Sequence, residues 1–390
     1  MNHYPHAKHL TRKDFLARSI GRCRHLAATG GGGKHAGFFD LCPETYLLPA
    51  EYSALVAAHV DKQKRGAKPT WIMKPVGLSR GRGISVVSSI EDVTYADPVV
   101  VQAYLDRPRL LGGHKFDLRL YVLVTSFAPL EAFLYREGFA RVATKPFSAP
   151  GDDNGDKFVH LTNASIQKHG GQEKGELYGP LAGAGPDEAG GTKCSLDFLW
   201  RRLRREDPTF DEARVWDGVR ELVLKSLVCV EDSIPHQPNS FELFGYDVLI
   251  DADSRCWLIE VNASPSMARE TSLDADVKER CIRDVINLVD PVPYDRDALV
   301  DVFDKRLKAA ETGDRLLAAP RRSARADAPA ADAAAAADAR EAHLAGDLNA
   351  LLPGAAPRRV GEPPACLGGF EVLAPSKQHD RIRRVKRACH

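Results

Sequence analysis

The sharpest alternation of apolar and polar positions lies at 241–266, FELFGYDVLIDADSRCWLIEVNASPS. Two apolar runs, 246–250 and 256–261, flank a polar turn at 251–255, a pattern that predicts a β-hairpin. Side chains alternate along a strand, so Glu260 and Asn262 share one face. In-register pairing adds Asp247 to that face. Carboxylates within apolar strands are costly unless paired or metal-bound. Asp247, Glu260 and Asn262 are therefore candidate ligands for Mg²⁺, which takes hard oxygen donors. The alternative is a decorated sheet edge.

The same patterning organises the rest of the chain. Residues 11–28, TRKDFLARSIGRCRHLAA, predict a basic amphipathic helix capped by Thr11, with Leu16, Ile20, Cys23 and Ala27 on one stripe. The following TGGGGKHAG lacks the GK[ST] of a phosphate loop and reads as a flexible break. A short helix follows Pro49. Residues 71–90, WIMKPVGLSRGRGISVVSSI, predict strand, Gly-rich loop, strand. Gly77, Gly81 and Gly83 offer bare backbone N–H groups, and Arg80 and Arg82 add cations. Lys74 ends the first strand. Such a unit either folds over a triphosphate or is an ordinary mobile turn.

Residues 99–105 read as a buried strand. In LLGGHKFDLRLYVLV, Lys115, Asp117 and Arg119 alternate on a face leading into a strand, either a functional face or a solvated edge. LEAFLYREG is a further strand, after which a turn at Gly138 aims Arg141 back toward a cleft; Arg136 falls at a surface strand end. In HLTNASIQKHG, Thr162 and Asn163 are helix caps or ligands. A Gly-rich loop, 171–192, ends at Lys193 before the helix CSLDFLWRRLRRE. The helix at 211–233 carries a core stripe, and SLDADVKERCIRDVINLV carries Lys278. Beyond residue 310 an Ala- and Arg-rich linker leads to SKQHDRIRRVKRACH, a solvated basic tail or a weak contact to an acidic polymer.

Composition narrows this picture. The 390 residues are 44% hydrophobic and 27% charged, as in a globular enzyme of two or three domains. A net charge of +1 excludes a polycation, so acidic partners must meet local patches. No nucleic acid or membrane partner is expected. Eight scattered cysteines without a CxxC pair fit a reducing compartment. No secretory leader and no bilayer-length apolar run are evident.

The stretches TRKDFLAR, WIMKPVGLSRGRGI, VVQAYL, GGHKFDLRLYVLV, LYREGFAR, HLTNASIQKHG, FELFGYDVLI and WLIEVNASPS, in this order over roughly residues 1–290, resemble the tubulin-tyrosine-ligase-like family. LYREGFAR, HLTNASIQKHG and VNASPS look most like its ciliary and flagellar polyglutamylases. GGFEVL at 368–373 resembles a segment following the catalytic core of one such member. The resemblance implies an α+β ATP-grasp fold, with nucleotide held between two α+β subdomains. It further implies a truncated N-terminal domain remnant at 1–66, a central subdomain at 67–106, a C-terminal subdomain with the metal site at 107–308, and a disordered tail at 309–390. The cofactors would be ATP and Mg²⁺.

Residue by residue, the resemblance implies that Lys74 and Arg80, Gly81, Arg82 and Gly83 hold the ATP phosphates, with Arg80 also touching the protein acceptor. Gln102, Ala103, Tyr104 and Leu105 would form the adenine hinge, and Lys115, Asp117, Thr162 and Asn163 would complete the nucleotide site. Asp247, Glu260 and Asn262 would hold Mg²⁺. Arg141, Lys193 and Lys278, with Ser165 beside them, would grip free glutamate, and Arg119 would steady an acyl-phosphate. Such a ligase acts on the acidic tails of tubulin in microtubules. It works in cytoplasm and cytoskeleton, in a cilium or flagellum, in some members with accessory subunits. The alternatives are a glycine-adding relative, a non-tubulin acceptor, or a microtubule-binding protein without catalysis. An amino acid with two carboxylates calls for several cations, and Arg141, Lys193 and Lys278 favour glutamate on that count.

Overall fold

Antiparallel pairing builds two sheets in this protein. The computed structural model describes residues 3–78, 81–151, 155–169, 177–235, 237, 240–291, 295–312, 346–347, 351 and 358–389. They fall into two compact units, Met1–Leu288 with Ala365–His390, and Val289–Pro364.

In the first unit, α1 (Lys8–Thr11) and α2 (Lys13–Thr29) precede β1 (Thr45–Leu48), α3 (Tyr52–Lys64), β2 (Trp71–Pro75), β3 (Ser85–Val87) and β4 (Val99–Ala103). The strands form a four-stranded sheet ordered β1-β4-β2-β3. Alternation along β2 buries Trp71 and Met73. The Trp71 indole donates to His59 Nδ1 of α3 at 3.0 Å, which satisfies its only polar group.

The larger sheet takes β5 (Leu110–Leu111), β6 (His114–Phe127), β7 (Leu130–Val142), β8 (Ala189–Gly190), β9 (Lys193–Ser195), β10 (Glu242–Ile250), β11 (Cys256–Asn262) and β12 (Phe370–Ala374). Its order is β11-β10-β6-β7-β9-β8, with β5 on β6 and β12 on β7. Two one-turn helices, α4 (Lys157–His160) and α5 (Ala164–Gln167), follow β7. Then come α6 (Leu196–Glu206), α7 (Glu212–Val230) and α8 (Ser272–Val289). α7 buries Val215, Val219, Leu222, Val223 and Leu227, the stripe expected from its spacing. α2 adds Leu16, Ile20, Cys23 and Ala27 to the same core. Thr11 does not cap α2: its hydroxyl donates back to the Ala7 carbonyl at 3.2 Å and closes α1 instead. The second unit carries α9 (Arg296–Thr312), where Arg306 donates to Asp347 at 2.8 Å.

Three sequence expectations give way here. β1, from the expected N-terminal remnant, pairs with β4 inside the four-stranded sheet, and Tyr4 and Leu10 join the larger core. Gly138 makes no turn. It lies within β7 opposite Leu120, where a Cβ would sit 2.4 Å from the Arg119 carbonyl oxygen. The chain needs glycine for that approach, and β7 runs on to carry Arg141.

The tail is the third. Residues 370–374 form β12, paired with 132–135 of β7, and α10 (Lys377–Ala388) packs on α7 and α2. Phe370, Leu373 and Ile382 are buried. Lys386 donates to the Val228 carbonyl and to Asp232, each at 2.6 Å. A strongly basic segment is ordered because its few apolar residues share one face and its buried lysine is paired. Each fully buried large apolar side chain contributes about 1.5–3 kcal/mol. Truncation before residue 365 should therefore cost at least ~4 kcal/mol, seen as a lower melting temperature of the shortened chain. Equal melting temperatures would show that β12 and α10 do not stabilise the sheet.

Candidate active site

Residues from both sheets line one cleft. Lys74 enters from β2, Gln102 to Leu105 from the end of β4, Lys115 and Asp117 from β6, and Arg141 from β7. Thr162, Asn163, Asp247 and Glu260 complete the wall.

Two buried lysines mark one side. Lys74 donates to Gln102 Oε1 at 2.8 Å, and Gln102 Nε2 donates to Thr45 Oγ1 at 2.9 Å. Lys115 donates to the Tyr104 hydroxyl at 2.9 Å, with its ammonium 4.3 Å from the ring centroid. That hydroxyl also bonds His160 Nδ1 at 2.9 Å. Among the described residues neither lysine forms an ion pair. Burial lowers Lys74 to about 8 and Lys115 to about 7.

Strand register sets the charges beside them. Asp117 lies opposite Arg141, Arg119 opposite Asp247, and Asp247 opposite Glu260. Arg141 donates to Asp117 Oδ1 and to Asp247 Oδ2, each at 2.7 Å. Arg119 donates to Asp247 through Nε at 2.7 Å and Nη2 at 3.3 Å. Burial opposes the charge on Asp247, yet Arg119 and Arg141 hold its carboxyl far below the usual range. Among the described residues Glu260 has no cation as close as these: Asn262 Nδ2 lies at 3.3 Å and Lys13 Nζ at 3.9 Å, and its side chain hydrogen-bonds that of Asp247. Burial, and then the neighbouring Asp247, push its carboxyl upward.

The face of Lys115, Asp117 and Arg119 is thus no solvated edge. β6 begins at His114, and both Lys115 and Asp117 are buried. The Gly-rich loop rests against α5: a Cβ on Gly81, at φ +75°, would lie 2.4 Å from Ile166 Cδ1 and 3.1 Å from Asn163 Oδ1. Asn163 precedes α5 without a side-chain capping bond, and Thr162 is buried in the cleft wall. Arg82 is exposed, while Arg80 lies outside the described residues.

A second group of charges adjoins the first. Lys193 of β9 pairs in register with Arg141 of β7. Its ammonium lies 2.8 and 3.0 Å from the two oxygens of Asp274, and Lys278 reaches the same carboxylate at 2.6 Å. The expected trio of glutamate-gripping cations is therefore not equivalent. Two carboxylates already occupy Arg141, whereas Lys193 and Lys278 share one. Ser165 lines a hollow with Lys145, Asp156 and His169. Sequence reasoning passed over Lys13, His160 and Asp274. Only the spacing of Asp274 and Lys278, one helical turn apart, was a usable signal.

These residues sit in a chain with known relatives. The family model described as "Tubulin-tyrosine ligase family" matches residues 1–299. The chain is 36% identical over 293 residues to the probable tubulin polyglutamylase TTLL2 of Homo sapiens, covering 74% of this chain and 46% of that protein. It is 36% identical over 298 residues to the tubulin polyglutamylase TTLL5 of Homo sapiens, covering 74% of this chain and 22% of that one. To the probable alpha-tubulin polyglutamylase Ttll1 of Tetrahymena thermophila it is 32% identical over 321 residues, covering 76% of this chain and 73% of that protein. The chain spans about half or less of the length of the two human relatives. With the match extending over three quarters of its length, the chain belongs to the tubulin-tyrosine ligase family.

Proposed function

We propose that this chain is an ATP-dependent ligase that joins free glutamate to glutamate side chains on the acidic tails of tubulin. The observation that carries the reading is the single cleft holding two buried lysines, neither in an ion pair among the described residues, beside the Asp247–Glu260 pair. Lys74 and Lys115 suit a triphosphate, with Arg82, Gly81 and Gly83 covering it. Gln102, Ala103, Tyr104 and Leu105 suit the adenine edge, with Thr162, Asn163 and Asp117 nearby.

The acid pair fits Mg²⁺. Among the described residues no three His, Cys, Asp or Glu side chains group as a metal site. Mg²⁺ does not need three, because it binds through one or two carboxylates plus phosphates and water. Glu260, raised by burial and by Asp247, has the like-charge strain that a divalent cation relieves. Asn262 adds an amide beside it. When bound, the cation neutralises phosphate charge during transfer.

The chemistry follows from the need to activate a carboxylate. An acceptor carboxylate oxygen attacks the γ-phosphorus and ADP leaves. The amine of free glutamate then attacks the acyl carbon, phosphate departs, and the nitrogen loses its proton. Arg119, anchored by Asp247, is placed to steady the acyl-phosphate. The donor pocket supports glutamate by charge. Arg119 and Arg141 balance Asp117 and Asp247, while Lys193 and Lys278 exceed the buried Asp274 by one positive charge, with Glu270, 3.9 Å from Lys193, left out of the count because it is largely exposed and screened by water. Free glutamate carries one surplus negative charge; glycine and tyrosine carry none.

The test is incorporation of radiolabelled glutamate into microtubules with Mg-ATP, with glycine and tyrosine alongside. Glutamate alone is the expected donor. Glycine alone would retain ATP chemistry and overturn the donor assignment. We also expect proton uptake on nucleotide binding. At pH 8 Lys115 is largely neutral and Lys74 about half so, and a triphosphate restores both charges. Binding should therefore take up between one and two protons, about 1.4, at that pH and fewer below pH 7. Calorimetry in buffers of different ionisation enthalpy reads the number directly. Release of protons instead would remove these lysines from the phosphate site.

A further inference from the structure

We propose that Asp274 is the positioning residue that makes Lys193 and Lys278 a single carboxylate-reading pair and sets the charge of the amino-acid pocket. This rests on the glutamate-ligase reading of the same cleft. Asp274 is fully buried in the first turn of α8. Lys193 meets both its oxygens, and Lys278 meets Oδ1. The Thr271 hydroxyl donates to Oδ2 at 3.3 Å and accepts from the Asp274 backbone N–H at 3.1 Å. The carboxylate is thereby held from three elements: β9, α8 and the turn before α8.

The two ammonium groups arrive from different directions. They would repel, and each long side chain has many rotamers to lose. Asp274 offsets both costs. It brings the ammoniums to 5.7 and 5.6 Å from the centroid of one ring, that of Phe139, whose neighbour in register is Arg119. It leaves one net positive charge rather than two. The other carboxylate in reach is Glu270, 3.9 Å from Lys193 and largely exposed. Burial tends to discharge Lys278, and Asp274 is the main group opposing that tendency. Lysines held this way present fixed N–H donors to an incoming carboxylate.

The experiment compares the wild-type chain with Asp274→Asn, which keeps the shape, and Thr271→Val, which loosens Asp274 without removing its charge. We expect Asp274→Asn to raise KM for glutamate about 10–100-fold while KM for ATP stays within about twofold. Thr271→Val should move in the same direction by a smaller factor. A glutamate KM within about twofold of wild type, or equal rises for ATP and glutamate, would overturn the role. A readout without activity separates this from the parent reading: acetylation of Lys193 and Lys278 by an N-hydroxysuccinimide ester near pH 7.5, quantified by peptide mass spectrometry. Loss of Asp274 should raise their labelling several-fold. Unchanged labelling overturns the inference even if glutamate is the donor; raised labelling together with the rise in glutamate KM upholds it, and raised labelling in a chain that uses another amino acid keeps the Asp274 pairing while the glutamate reading fails.

Discussion

Glu260→Gln should leave a folded protein that no longer transfers glutamate. The substitution keeps size and hydrogen-bonding shape but removes the cleft carboxylate that, among the described residues, has no cation nearer than Lys13 at 3.9 Å. Burial and Asp247 raise its carboxyl, so its charge disfavours the empty folded state. Neutral Gln should melt at or about one degree above wild type. Activity should fall on the order of 10²-fold or more, because metal stabilisation of transferring phosphate is worth several kcal/mol. The thermal shift given by Mg-ATP should shrink with it. Retained activity would mean that Glu260 does not serve the metal.

Asp247→Asn should act on stability as well as on activity. Asp247 is buried and accepts from Arg119 and Arg141 together. Without its charge Arg141 keeps Asp117, but Arg119 has no other carboxylate among the described residues. Removing one partner of a buried ion pair costs about 3–5 kcal/mol, since the remaining charge stays desolvated. The melting temperature should fall by roughly 5–15 °C. Arg119→Met added to Asp247→Asn should recover part of that loss, because it withdraws the stranded guanidinium. A double variant less stable than Asp247→Asn alone would show that Arg119 is held by something else.

Much of this arrangement was legible in local pattern. Alternation placed Asp247 and Glu260 on facing strands, and the 71–90 hairpin stands as its Gly-rich turn implied. Local pattern failed where partners are distant in sequence. Lys13 reaches Glu260, Lys193 reaches Asp274, and Tyr104 reaches His160 only after the sheets assemble. Gly138 reads as a turn because glycine is frequent in turns, yet here it answers a close backbone approach. The basic stretch at 376–390 reads as solvated by composition. His379, Ile382 and Lys386 nevertheless recur on one buried helical face, a weaker signal overruled by net charge.

The pairing of β12 with β7 has a consequence for synthesis. β6 covers one edge of β7, while β9 and β12 share the other. During translation the 132–135 portion of that edge must wait for residues 370–374 to leave the ribosome. At about 5–20 residues per second the delay is on the order of ten seconds or more. An open apolar strand edge is a template for association with other chains. Messages that stop early, or ribosomes that stall in the Ala-rich stretch, should therefore yield chains that depend on chaperones for solubility. Supplying a peptide matching 365–389 in trans is a direct way to close that edge.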